Sequence, residues 1–296
     1  MSRAIEALMT GLVDYAGLFP PAGLAMREAV GNYEGYRGVR AAWLGRFVVP
    51  ARRLAEFGAA FSETAGKAHR GRWSLSVLLS SEGAEQDLAI AQAFAAGQPG
   101  IEIGAFETPA DSMETIERLR ALVPDAQEIY FELPIGTANL PDLLAAIARN
   151  GSCAKVRTGG LEAKAFPSPD ALLAFLSAAA GARAPWKATA GLHHAIRGAA
   201  PLTYLPDSPC ATMYGYLNVF LAATALWSGR PQSEALTLLS GEGRGDLKIE
   251  NEAIAWRGAR LSTAEIADAR KSFCRSIGSC SFTEPVEEIL ALGDSR

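Results

Sequence analysis

The sequence predicts an α/β protein: a (β/α)8 TIM barrel with a C-terminal hairpin-plus-helix appendage. Three observations support this prediction. Eight short runs of β-forming residues alternate with Ala- and Leu-rich amphipathic stretches, which is the pattern of a parallel sheet. The 296 residues match the usual length of one barrel, and no linker rich in Pro, Gly or Ser divides them. Hydrophobic residues make up 49% of the chain, enough for a large core.

The strand-like runs follow one another along the whole chain. They are VDYAGLF (13–19), RFVVPA (46–51), WSLSVLLS (73–80), GIEIGAF (100–106), EIYFELPI (128–135), CAKVRTG (153–159), WKATAGL (186–192) and MYGYLNVF (213–220). Asp111, Asn139 and Ser168 stand where three intervening helices would begin, as N-cap residues. An open doubly wound sheet is the alternative, but no G-x-G-x-x-G follows the first strand and no G-x-x-x-x-G-K-[ST] occurs.

The last quarter of the chain does not continue the alternation. We therefore expect residues 1–229 to form the barrel and residues 230–296 an appendage packed on it, within a single domain overall. DLKIENEAIAWRGARLS (246–262) is typical of a β-hairpin that turns near residues 250–252, and Ser262 is suited to cap a following helix. A loop and a short helix follow. We expect SIGSCSF (276–282) to pack against the barrel or a neighbouring subunit.

Composition argues against several classes of partner. The net charge is −4 and no long basic run occurs, so we expect no nucleic-acid partner. The first residues lack a signal-peptide pattern, and the four scattered cysteines do not form a disulfide framework, so we predict a cytoplasmic protein with reduced thiols. Residues 210–229 are mostly apolar, but they contain Thr212, Asn218 and Thr224. A buried strand that runs into a core helix explains them better than a membrane span.

Charged side chains occur inside three consecutive strand-like runs. Lys155 and Arg157 share one face of the sixth run, and Lys187 and Thr189 share one face of the seventh. Glu132 lies in the fifth. Active sites of α/β barrels lie at the C-terminal ends of the strands. We therefore expect Glu132, Lys155, Arg157 and Lys187 to converge in one cavity there.

These residue types indicate carbonyl chemistry. A buried lysine beside another cation is destabilised in its charged form, so we expect the pKa of Lys155 to fall. Its neutral amine can then attack a carbonyl carbon and form a Schiff base, while Glu132 transfers protons. Arg157 carries a permanent charge and a bidentate fork, which suit a substrate carboxylate or phosphate.

Two of these segments resemble motifs of the deoxyribose-phosphate aldolase family. AKVRTGG (154–160) is similar to that family's sixth-strand motif, a Lys followed by Thr-Gly. WKATAGLHHAIR (186–197) is similar to its seventh-strand motif, a second Lys followed by a small Gly-containing turn and an Arg. The resemblance implies that Lys155 is the Schiff-base lysine and Lys187 its electrostatic partner. It further implies a class I aldolase-like carbon–carbon lyase acting on a small oxo acid or a sugar phosphate.

The resemblance extends weakly to the first strand and breaks at the fourth. VDYAGL (13–18) resembles the family's first-strand segment, with Asp14 at the acidic position. At the family's acidic position on strand four this chain has Gly104, which implies that Glu132 or Glu102 moves the proton instead. The double histidine and the C-terminal appendage are foreign to the family.

Other reactions remain open from the residues alone. A metal-assisted lyase or hydrolase would use Glu132, His193 and His194, although neither H-x-H nor H-E-x-x-H occurs. A non-catalytic barrel would bind a small anion through Arg157, Lys187 and Arg197. We expect no metal and no cofactor, a small anionic carbonyl substrate, no membrane partner, and either a monomer or a homo-oligomer. The residues we assign to substrate binding are Arg157, Thr158, Thr189, His193, His194, Arg197 and Asn218.

Overall fold

Eight parallel strands close into a barrel in the computed structural model, which describes residues 1–65 and 71–294. The barrel strands are β1 (Val13–Tyr15), β2 (Leu44–Pro50), β3 (Trp73–Leu78), β4 (Ile101–Pro109), β5 (Glu128–Glu132), β6 (Cys153–Arg157), β7 (Trp186–Thr189) and, late in the chain, β13 (Cys274–Ser279). Their order around the barrel is β1-β13-β7-β6-β5-β4-β3-β2. The predicted (β/α)8 barrel is confirmed.

Helices surround the barrel and connect its strands. They are α1 (Arg3–Met9), α2 (Met26–Val39), α3 (Leu54–Ala65), α4 (Ala84–Ala96), α5 (Met113–Leu122), α6 (Leu140–Arg149), α7 (Pro169–Ala182), α8 (Tyr216–Trp227), α9 (Gln232–Ser240), α10 (Thr263–Ser272) and α11 (Thr283–Asp294). Ser168 caps α7 through its side chain, as predicted, whereas Ser112 rather than Asp111 caps α5. Asn139 precedes α6 without a side-chain cap bond.

The eighth barrel strand is not the predicted run MYGYLNVF. Residues 216–227 form α8, which is buried along nearly its whole length. A helix that is apolar on every side shows no 3.6-residue period, so its sequence is indistinguishable from a buried strand. The barrel is closed instead by β13, which pairs in parallel with β7 and β1. The predicted boundary at residue 229 is therefore wrong, because the closing strand lies inside the segment assigned to the appendage.

Two small sheets are inserted between β7 and β13. One is a hairpin of β8 (Gly198–Pro201) and β9 (Cys210–Met213). The other contains β10 (Lys248–Ile249), β11 (Ala253–Trp256) and β12 (Ala259–Ser262), so the predicted hairpin at 246–262 is confirmed and extended by one strand. Ser262 then caps α10 in a reciprocal capping box with Glu265.

The apolar stretch at 210–229 is divided between β9 and α8. Within residues 1–65 and 71–294, no helix has both the length and the hydropathy that a membrane span requires.

The strand register sets the predicted site residues side by side. Lys155 on β6 is directly opposite Glu132 on β5 and Lys187 on β7. Side chains at paired positions of neighbouring parallel strands point to the same side of the sheet, so all three face the barrel interior near its C-terminal end.

Candidate active site

One buried carboxylate joins the two barrel lysines. Glu107, on β4, lies with its Oε2 2.8 Å from Nζ of Lys155 and its Oε1 2.7 Å from Nζ of Lys187. The three residues are 3%, 5% and 0% exposed, respectively. Glu107 is therefore the buried acidic residue of strand four, where the sequence analysis found none and turned to Glu132 or Glu102. Glu102 is exposed near the start of β4, at the opposite end of the strand from Glu107.

Each lysine has a second carboxylate partner. Nζ of Lys155 lies 2.8 Å from Oε2 of Glu132, and Nζ of Lys187 lies 2.5 Å from Oδ2 of Asp14. Carboxylates and amines therefore alternate across the barrel from β5 to β1. Buried charges are tolerated only when they are paired in this way.

Neutral donors fix the two most buried carboxylates of this network. The Ser76 hydroxyl donates to Oε1 of Glu107 at 2.6 Å, and the Ser276 hydroxyl donates to Oδ2 of Asp14 at 2.7 Å. The backbone N–H of Arg46 donates to the other oxygen of Asp14 at 2.8 Å. These hydrogen bonds restrict the movement of both carboxylates away from the lysines.

The ion pairs set the protonation states. Burial favours the neutral amine, but the charges of Glu107 and Glu132 outweigh it and raise the pKa of Lys155. Burial likewise disfavours the Glu107 carboxylate, but Lys155 and Lys187 outweigh it and hold the pKa of Glu107 far below its usual value. The expected fall in the Lys155 pKa is therefore wrong for this resting site. The carboxylate of Glu107 lies between the two lysines and outweighs the repulsion between their charges.

A cavity of about 270 Å³ opens above this network at the C-terminal mouth of the barrel. Lys155, Glu107 and Glu132 line one wall, together with Arg157. Lys187 does not reach the cavity and lies beneath it. The predicted convergence in one cavity therefore holds for Glu132, Lys155 and Arg157 but not for Lys187, which is buried below it. The rest of the lining comes mainly from the loop after β1, the hairpin β8–β9 and the segments after β7 and β13.

Arg157 stands at the rim of the cavity. Its side chain is 55% exposed, and its Nη1 is 3.8 Å from Oε1 of Glu132. The guanidinium is therefore only loosely held by protein groups and can take another anionic partner.

His193 and Thr189 also line the cavity, as the sequence predicted. Nδ1 of His193 lies 3.2 Å from the Ser279 hydroxyl. Burial, with a contribution from the charge of His194, lowers the pKa of His193 to about 4, so its imidazole is neutral near pH 7. His193 can therefore exchange hydrogen bonds with a bound molecule without adding charge.

Two of the predicted binding residues are engaged in loop contacts instead. The buried Thr158 hydroxyl donates to the Ala190 carbonyl at 2.6 Å and ties the loops after β6 and β7 together. Nδ1 of His194 lies 2.6 Å from Oε1 of Glu288 on α11. Neither residue lines the cavity.

Arg197 and Asn218 also serve the scaffold. The Arg197 guanidinium pairs with Glu242, and its backbone N–H donates to Oδ1 of Asn218 at 2.7 Å. The amide nitrogen of Asn218 donates to two carbonyls at the end of α9, Leu238 and Gly241. The polar groups of both residues form hydrogen bonds where a loop meets buried helices. The sequence analysis considered only residues at strand ends and so could not predict these contacts.

The metal-ligand set considered from the sequence is not assembled. Glu132 is bound to Lys155, and His194 is bound to Glu288. In the part of the chain that the structure describes, no three His, Cys, Asp or Glu side chains form a group that could hold a metal ion.

No family model matches this chain, and no curated protein matches it.

Proposed function

We propose that this protein is a class I, Schiff-base-forming carbon–carbon lyase, with Lys155 as the amine that bonds to a small carbonyl substrate. One observation carries the proposal. Of the two lysines bound to Glu107, Lys155 lines the cavity at the barrel mouth, whereas Lys187 is sealed beneath it. A small molecule in the cavity can reach only the first of these two amines.

Because the resting amine is protonated, the first step is a proton transfer. Glu132 is 2.8 Å from Nζ of Lys155, and its side chain is 22% exposed at the cavity wall. It accepts the Lys155 proton, and the neutral amine adds to the carbonyl carbon to give a carbinolamine. Glu132 returns this proton to the carbinolamine oxygen, then takes a second proton from the carbinolamine nitrogen and delivers it to the same oxygen, which leaves as water. An ammonium and a carbonyl have then become an iminium and water, with no net change in charge.

Glu107 supports the iminium. Its low pKa keeps it anionic, and its Oε2 already lies 2.8 Å from the position of the charged nitrogen. A fixed anion beside a developing cation stabilises it without reorganisation. The iminium then draws electrons from the neighbouring bond. Glu132 removes the proton of a β-hydroxyl group, the carbon–carbon bond breaks, an aldehyde leaves and a neutral enamine remains on Lys155.

Arg157 supplies the anion preference in this proposal. Its half-exposed guanidinium at the rim fits a carboxylate on the substrate, which makes an oxo acid the favoured substrate class. We place the reaction in the cytoplasm, since all four cysteines are free thiols, as in a reducing compartment.

Reductive trapping tests the proposal. Purified protein is incubated with pyruvate and sodium cyanoborohydride, and the mass of the intact chain is measured. We expect one adduct in the wild type, none in Lys155→Arg, and an undiminished adduct in Lys164→Arg. Lys164 is an exposed lysine in the loop after β6 and is the matched control. An adduct that persists in Lys155→Arg would refute the assignment.

A non-catalytic barrel that binds a small anion is the second candidate. The raised pKa of Lys155 favours it, because a charge-balanced ion network also occurs in purely structural sites. This candidate would be supported over the lyase if pyruvate raised the unfolding temperature of both the wild type and Lys155→Arg and formed an adduct with neither.

A further inference from the structure

A second hollow opens beside the mouth cavity. It has a volume of about 680 Å³ and lies between the loops that follow β4, β5 and β6. We call it the outer groove. Glu132 and Arg157 line both the cavity and the outer groove, so the two spaces meet at these residues. A molecule bound at Lys155 can therefore extend past them.

The outer groove combines an apolar wall with four charged side chains and two that carry hydroxyl groups. Two of its four charged side chains are already paired: Glu132 with Lys155, and Lys164 with Glu162 at 2.8 Å. The apolar lining is formed by Pro109, Ala110, Leu133, Pro134, Ile135, Ala165 and Pro167. Such a lining favours carbon chains over further charged groups.

The geometry of an imine explains how one substrate uses both Arg157 and the outer groove. The imine carbon is trigonal, so when Lys155 holds it from below, its two other substituents both point outward. Arg157 follows Lys155 on the same face of β6, about 6–7 Å further toward the mouth. The carboxylate of a 2-oxo acid can therefore meet Arg157 while the chain on the other side passes Glu132.

We propose that the outer groove binds the apolar chain of a 2-oxo acid whose carbonyl carbon bonds to Lys155. This inference rests on the proposed function and narrows its substrate class. The cavity itself, at about 270 Å³, has room for roughly nine water-sized groups. A short oxo acid fits within it, and a longer chain must continue into the outer groove.

Reductive trapping across a series of chain lengths tests this inference. The probes are pyruvate and the straight-chain 2-oxo acids from 2-oxobutanoate to 2-oxooctanoate, each with cyanoborohydride. For the longer members, we expect the half-saturating concentration to fall by up to about fourfold per added methylene. Ile135→Asp, which places a charge in the outer groove, should remove this fall and leave pyruvate trapping unchanged.

The matched control is Ile90→Asp, because Ile90 is an exposed isoleucine on α4, away from the outer groove. It should behave as the wild type does. If Ile135→Asp does not fold, Pro134→Asp takes its place, because Pro134 is exposed on the same wall. If the half-saturating concentration does not change with chain length, or if the groove substitution does not alter that change, the inference is wrong and the proposed function is unaffected. Failure to trap pyruvate as well overturns both.

Discussion

Glu107 is shared by Lys155 and Lys187, whose amines lie 2.8 and 2.7 Å from its two carboxylate oxygens. This relationship gives the two lysines different roles. Lys155 faces the cavity and can react, whereas Lys187 holds the shared carboxylate in place together with Asp14. In the proposed reaction, this carboxylate, fixed by Lys187 and directed at Lys155, keeps the nitrogen of Lys155 cationic at rest and stabilises the iminium that forms there.

Removing the shared charge should weaken the fold. Glu107→Gln keeps the shape but leaves two buried ammonium groups with fewer anions, so we expect the free energy of unfolding to fall by about 3–5 kcal/mol. Denaturant titration measures this free energy of unfolding. Glu102→Gln, at an exposed position of the same strand, is the control and should change it by less than about 0.5 kcal/mol. A loss of similar size in both variants would argue against a special role for Glu107.

The contribution of Glu107 should depend on pH in a defined direction. Its folded pKa lies below the unfolded value of about 4.3, so the stabilisation is present above that value and is lost as the pH falls further. The stability difference between wild type and Glu107→Gln should therefore be constant near neutral pH and shrink below about pH 4. A difference that grows on acidification would contradict the ion pairing.

Gly45 makes room for Asp14. A Cβ at this position would lie 2.3 Å from Oδ1 of Asp14 and 3.1 Å from the Val13 carbonyl. Gly45→Ala should therefore displace the Asp14 carboxylate from Lys187 and lower the free energy of unfolding by about 1–3 kcal/mol. Gly31→Ala is the control, with an expected effect of opposite sign. Nothing lies within 4 Å of a Cβ at this position, which is inside α2. Alanine in place of glycine in a helix should raise the free energy of unfolding by about 0.5–1 kcal/mol. Equal effects from the two substitutions would refute this explanation.

Arg157 should distinguish charged from uncharged carbonyl compounds. Arg157→Met removes a charge-assisted contact worth about 1.5–3 kcal/mol, and the low end applies because the side chain is half exposed. The half-saturating concentration for trapping pyruvate should rise about tenfold, whereas that for acetone should stay within a factor of two of the wild type. If acetone is affected as strongly as pyruvate, Arg157 acts on the fold of the site and not on a substrate carboxylate.

Lys187 should act on Lys155 through charge. Lys187→Met removes a cation from the network, so the pKa of Lys155 should rise by about one to three units. The adduct should still form on Lys155, but the pH that gives half the maximal trapping rate should rise by the same amount. Lys164→Met makes the same chemical change at an exposed site and should leave the pH profile unaltered. An unaltered profile in Lys187→Met would show that Lys187 is only structural.

The alternation of strands and helices made the barrel predictable from the sequence for seven of its eight strands. The eighth strand was not predicted correctly for two reasons. Residues 213–220 are apolar apart from Asn218, so the almost fully buried α8 has no helical period in its sequence. The real closing strand, Cys274–Ser279, contains serine, arginine and glycine, and it follows two inserted sheets.

Part of the site was also predictable from local sequence patterns. Charges inside apolar strands identified Lys155, Lys187 and Glu132. Glu107 gave that signal too, since it stands between Phe106 and Thr108 at the end of an apolar run. The resemblance to the aldolase family places the acidic position at Gly104, three residues earlier. In the structure, a Cβ at Gly104 would lie 2.6 Å from the Ser74 hydroxyl and 2.8 Å from Nε of Arg46, so a side chain there would displace both groups. Which polar side chains serve loops, as Arg197 and Asn218 do, depends on packing that no local pattern contains.

The position of the trapped substrate tests the central claim most directly. Wild-type protein is reduced with cyanoborohydride in the presence of pyruvate, digested with trypsin and mapped by mass spectrometry. The account predicts a modified peptide of residues 150–157, NGSCAKVR, uncleaved after Lys155 because its amine is now substituted. An adduct in residues 184–197, which contain Lys187, or unmodified peptides throughout, would contradict it.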